Sequence, residues 1–267
     1  MNALRAAFWA EALKARRSRV SLVTAVGFSV FPIIGGLFMI IMKDPEQARR
    51  MGLIGAKAQL LSGGAADWPN YFRFLSVGTA AGGAILFAFI TAWIFGREFS
   101  DHTAKELLAV RTPREVIVGA KFALTALWIL GLTLLIYGLG LGIGAAIVLP
   151  GWSPELAWTS FWSLIITAIL TSMLMPFVAL FASAGRGYLP PLGWAFGTLG
   201  LAQVAGVMGW GDWFPWSVPG VFSLMFNAVY GQRAEQIGIH SYVLVVLAFI
   251  AGLAATFAWW RRADQSR

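Results

Sequence analysis

Val20 to Met42 is a run of 23 residues without one charged side chain. At about 1.5 Å per helical residue it can cross ~30 Å of hydrocarbon. Five more runs, 74–96, 122–149, 158–184, 188–208 and 241–260, also lack Asp, Glu, Lys and Arg. A bilayer core offers no water to free N–H and C=O groups, so runs of this length are helices there. The sequence predicts an all-α membrane protein with six spans, forming one transmembrane domain over residues 1–267. A mean hydropathy of +0.73 excludes a soluble domain.

The 20 Lys and Arg lie between these runs, and their distribution predicts sidedness. With both termini inside, the inner segments hold 14 of them and the outer segments six, while the acidic residues divide six and six. A basic excess marks the cytoplasmic face. The net charge of +8 therefore reads as membrane flanking, with no nucleic acid as partner. Residues 1–19 set Leu4, Phe8 and Ala12 along one helical stripe, with Arg5, Lys14, Arg16, Arg17 and Arg19 mostly away from it. This predicts a helix in the headgroup layer, with Phe8 and Trp9 in the apolar boundary and the bases near anionic lipid.

Other segments carry weaker signals. Residues 43–73 are mixed in charge and hold a mildly apolar stretch over 51–61, which predicts a surface helix outside the membrane. Gly138, Gly140, Gly142 and Gly144 form overlapping small-xxx-small pairs, as do Gly78 with Gly82 and Gly193 with Gly197; all predict close helix packing. Pro176 predicts a kink in the fourth span. Aromatics and prolines crowd 209–240, which predicts short re-entrant or interfacial helices at the outer surface.

The polar island from Arg97 to Lys121 carries nine of the 32 charged residues. Thr103 followed by Glu106 reads as a capping box, predicting a short helix from Ala104 with Leu107 and Leu108 on one side. Thr112, Pro113 and Glu115 repeat the start signal, with Thr112 as N-cap and Pro113 at the first helical position. A capped helix between two spans suits the docking of a soluble partner. Leu107 and Leu108 would fill a groove on it, and Glu98 and Arg114 could fix the loop by ion pairing. For Lys121 the alternative is snorkelling to the interface.

The order Arg97, Glu98, Phe99, Thr103, Leu107, Leu108, Arg114 and Lys121 resembles the cytoplasmic loop after the second span of ABC type-2 transporter permeases. His102 stands where that family often has Gly, and Arg111 where it often has Pro. The resemblance implies a coupling helix seated on a separate cytoplasmic ABC ATPase subunit, with Glu98, Phe99, Asp101, Thr103, Leu107, Leu108, Arg114 and Lys121 as coupling residues. It further implies a pathway shared with a second copy or a related permease. The expected transport is export of an amphipathic drug, peptide or lipid-like compound across the cell inner (plasma) membrane. ATP and Mg would sit on the partner, with no cofactor on this chain.

The residues agree with that division of labour. No GxxxxGK[ST] occurs to cradle phosphates, so this chain is not expected to be an enzyme. His102 and His240 fall near opposite faces, which disfavours a shared metal site. Charge-free spans disfavour an ion-driven carrier. The polar residues open to a pathway are Tyr137, Thr167, Thr171, Ser172 and Gln203, although each hydroxyl could instead bond a carbonyl one turn back. A non-transporting anchor or regulatory subunit would use the same loop.

Overall fold

A computed structural model describes residues 3–44, 65–101, 103, 112–225 and 237–262. Among the described residues the regular structure is entirely helical: α1 (Ala3–Arg17), α2 (Val20–Lys43), α3 (Trp68–Ser100), α4 (Arg114–Ala146), α5 (Pro154–Ser172), α6 (Met175–Ala184), α7 (Leu189–Val207), α8 (Val218–Met225) and α9 (Ile239–Arg262). Those long and apolar enough to cross a membrane are α2, α3, α4, the pair α5 and α6 over Pro154–Ala184, and α9.

The central helix is α3, which packs against α2, α4, α5, α6, α7 and α8. Its N-terminus is fixed by Asp67, whose side chain accepts from the Asn70 N–H at 2.9 Å, and by Pro69 in the first turn. Trp68, Tyr71 and Phe72 are consequently buried in the core. The sequence reading left them outside the second span; the Asp67 and Pro69 start signal extends α3 back to Trp68. The buried hydroxyls of Thr79 and Thr91 donate to the carbonyls of Leu75 and Phe87 within α3, which lets polar atoms sit in the core at little cost. Tyr71 instead reaches across, donating to the Pro32 carbonyl of α2 at 2.9 Å.

The predicted glycine pairs divide by function. A Cβ on Gly140 or Gly144 would overlap Leu75 or Trp68 of α3, and one on Gly82 would overlap the Phe31 ring of α2. Gly138, Gly142, Gly193 and Gly197 have open space there. Gly144→Ala is therefore expected to lower stability by about 1–3 kcal/mol through overpacking, and Gly142→Ala to leave it unchanged. Thermal unfolding in one detergent checks both.

Pro176 stands at a break between two helices, where the sequence predicted a kink within one. α5 ends at Ser172 and α6 starts at Met175, with Pro176 in its first turn, where a missing N–H removes no helical bond. Thr112 is not an N-cap either. Pro113 occupies that position, with φ −55° and ψ 137°, and α4 starts at Arg114. The short helix predicted from Ala104, the stretch 51–61 and residues 226–236 lie outside the described residues.

α7 packs against α3 and α6. At one end Gly96 faces the Gly187 carbonyl just before it; beyond its other end, Asp212 meets His240 in the first turn of α9, with Oδ2 to Nε2 at 3.1 Å. Ser241 donates to the Asp212 carbonyl at 2.6 Å, and Trp213 stacks on the His240 ring with centroids 4.3 Å apart. With its two prolines and Gln203, α7 is not among the helices apolar enough to cross a membrane by composition.

Candidate functional site

The ends of α1, α3, α4 and α9 meet where the polar island begins and ends. Much of that island is helix. Arg97 to Ser100 form the last turn of α3, and Arg114 to Lys121 the first two turns of α4. Arg97, Glu98 and Lys121 are turned inward, while Glu115 is exposed and pairs with Arg261 at 3.0 Å.

Arg97 and Glu98 of α3, Lys121 of α4 and Glu11 of α1 form a closed ring in which each carboxylate touches both bases. Glu11 Oε2 lies 3.0 Å from Arg97 Nη2 and 3.3 Å from Lys121 Nζ; Glu98 Oε1 lies 2.8 Å from Lys121 Nζ and 3.3 Å from Arg97 Nε. Lys121 is fully buried, Glu98 is 2% exposed and Glu11 3%. Removing such charges from water is unfavourable unless pairing and hydrogen bonding are nearly complete. Closure of the ring supplies that pairing. Lys121 also donates to the Ile94 carbonyl at 2.7 Å, and the Arg97 guanidinium sits 4.6 Å from the centre of the Trp93 ring. Lys14, half in solvent, bridges Glu11 at 3.0 Å and Glu98 at 3.4 Å. Glu98 Oε2 is buried without a hydrogen-bond partner.

The other side of the connector is held by α9. Arg114 Nη1 donates to the Trp260 carbonyl at 3.1 Å and to that of Arg261 at 3.4 Å, satisfying carbonyls that a helix C-terminus leaves free. Phe99 packs on Trp259 and Trp260, and Trp260 Nε1 donates to Ser183 Oγ at 3.0 Å. At the exit from α3, Asp101 N–H donates to the Arg97 carbonyl at 2.7 Å and Thr103 N–H to that of Glu98 at 2.9 Å, both residues being exposed. Leu107 and Leu108 lie outside the described residues.

Glu98 is ion-paired, and the alternative considered for Lys121, snorkelling, is overturned. Glu98 is engaged by Lys121, Arg97 and Lys14 rather than by Arg114, which serves α9. Lys121 does not snorkel; its amine is one of the two bases of the ring. Sequence reasoning missed Glu11, Lys14 and Arg97 as partners. Glu11 is the lone acid among the first 19 residues and adjoins the Phe8 and Ala12 stripe; that was the available signal.

The candidates for a pathway do not converge. Tyr137 donates to the Ala157 carbonyl at 2.8 Å and so ties α4 to α5. Thr167, Thr171 and Ser172 bond back to Ser163, Thr167 and Ile169 within α5. Thr171 also borders a cleft of about 30 Å³ shared with Thr198 and Trp216. Gln203 is exposed on α7.

Long apolar helices bundled around α3, with their charges gathered at the helix ends, define a multi-pass membrane protein. Its sequence matches the ABC-2 family transporter proteins over residues 7–199, and the chain belongs to that family. The match takes in the whole ion ring. The chain is also similar to a bacitracin transport permease protein of Bacillus licheniformis, 24% identical over 186 residues that cover 68% of this chain and 85% of the relative. The protein is thus a permease subunit of an ABC transporter.

Proposed function

We propose that this permease forms one half of a dimeric exporter, paired with a second copy or a related permease and driven by separate cytoplasmic ABC ATPase subunits that bind ATP and Mg. The observation carrying this reading is the anchoring of the connector at both ends. The ring fixes the end of α3 to the start of α4, and Arg114 fixes the start of α4 to α9. A displacement imposed on the connector therefore reaches three membrane helices together. In this reading α7 makes the sixth crossing, shielded along part of its surface by α3 and α6, and both termini are cytoplasmic.

The substrate class is an amphipathic drug, peptide or lipid-like compound. The peptide antibiotic in the relative's name, bacitracin, is the first compound to test. The deciding experiment is purification of the tagged permease from its host in mild detergent, with mass spectrometry of what accompanies it. An ABC ATPase at equal stoichiometry is expected. Its absence after gentle crosslinking would instead favour the anchoring or regulatory role.

Sidedness follows from the same reading. Ser100, exposed at the end of α3, should be cytoplasmic, so Ser100→Cys in this cysteine-free chain is expected to resist an impermeant thiol reagent added outside intact cells. Labelling from outside would reverse the topology.

A further inference from the structure

Glu11 lies 86 residues from Arg97 and 110 from Lys121 in sequence, yet it pairs with both. It is the contribution of α1 to the ring. One face of α1, carrying Glu11 and Ala15, is buried against the bundle and packs chiefly along α4. The opposite side leaves Arg5, Trp9, Arg16 and Arg17 exposed, a composition fitted to the headgroup layer. One short helix therefore joins the membrane surface to both flanks of the connector.

We infer that Glu11 is a positioning residue that makes α1 travel with the flanks of the coupling loop as one body during the transport cycle. The inference rests on the transporter reading. The reason is electrostatic: if α1 separated, Arg97 and Lys121 would share the one carboxylate of Glu98 and each would lose its contact with Glu11, and breaking such a buried pair is strongly disfavoured. Movement of the α3 and α4 ends must then carry α1 along, and the lipid contacts of α1 set the plane in which that movement occurs.

Two measurements test this. The first uses the permease alone. Ala15→Cys, 6% exposed in the folded chain, is expected to react slowly with a thiol reagent. Adding Glu11→Gln should accelerate the reaction at least about tenfold, a change equal to only ~1.4 kcal/mol in the docking equilibrium. Glu11→Asp, which keeps the charge, should restore most of the protection. Equal rates in the Gln variant and its parent would overturn the role of Glu11.

The second leaves the ring intact. Leu4 Cδ1 lies 4.0 Å from where a Cβ on Gly119 would stand, so Leu4→Cys and Gly119→Cys can be joined by a short bifunctional methanethiosulfonate. In the complex with its ATPase, ATP hydrolysis is expected to be the same before and after joining. A loss of about tenfold or more, a ~1.4 kcal/mol effect, would mean that α1 and α4 must move apart, and would overturn the inference. Failure of the transporter reading would show separately, as a parent permease that brings no ATPase with it.

Discussion

Lys121→Met is expected to destabilise the permease by about 3–5 kcal/mol, the range found when one partner is removed from a buried ion pair. The side chain is fully buried, so water cannot replace the lost amine. Without it Glu98 keeps only Arg97 at 3.3 Å and the half-exposed Lys14 at 3.4 Å, with Oε2 already lacking a partner, and Glu11 loses one of its two buried bases. The Ile94 carbonyl loses a donor as well. Adding Glu98→Gln removes the acid that Lys121 most closely neutralises and leaves Glu11 paired with Arg97 at 3.0 Å. The double variant is therefore expected to be more stable than Lys121→Met alone, a departure from additivity that a double-mutant cycle measures directly. Thermal unfolding followed by loss of helical signal, in one detergent for all three variants, provides the cycle. An unchanged midpoint for Lys121→Met would mean that the ring does not hold α1, α3 and α4 together.

The helices were legible because an uninterrupted apolar run is a property of adjacent residues, and Val20–Lys43 and Ile239–Arg262 start and end within a few residues of the places their sequence signals set. Depth was not legible. Arg97 and Glu98 border an apolar run and read as the start of a loop, whereas α3 continues through them; Lys121 is expected on the helix that enters the third span, but that helix turns it, with Arg97 and Glu98, toward α1. Nothing local distinguishes a charge at a helix end that faces water from one that faces a partner 86 residues away. The glycines make the same point. Gly140 and Gly142 are equivalent as a pattern, but they stand on different sides of α4, and Leu75 fills the space beside only Gly140. The hydroxyls of the proposed pathway fared differently, since the alternative stated for them from sequence is the one the hydrogen bonds of Thr167 and Thr171 satisfy.

Leu107→Asp with Leu108→Asp is expected to abolish association with the ATPase while leaving the permease inserted and folded. The substitutions lie outside every apolar run and outside the ring, so the contacts that hold α1, α3, α4 and α9 remain. What changes is the surface offered between two fixed flanks. Asp101 and Thr103 leave α3 on hydrogen bonds to its last turn, and Arg114 receives the chain back onto α9; the sequence between them supplies the Leu pair. Burying two carboxylates where two isobutyl groups should enter a groove removes apolar contact and adds ionised groups without partners. The second effect alone amounts to several kcal/mol, and ~4 kcal/mol is about a thousandfold in affinity. The expected result is loss of ATPase from the purified complex, with an unchanged gel-filtration profile and unchanged thermal midpoint of the permease itself. Retention of the ATPase at parental stoichiometry would remove the Leu pair from the interface and shift the docking role to the flanks, where Asp101 and Thr103 are exposed. Loss of the permease from the membrane would show that the pair packs on the protein's own helices.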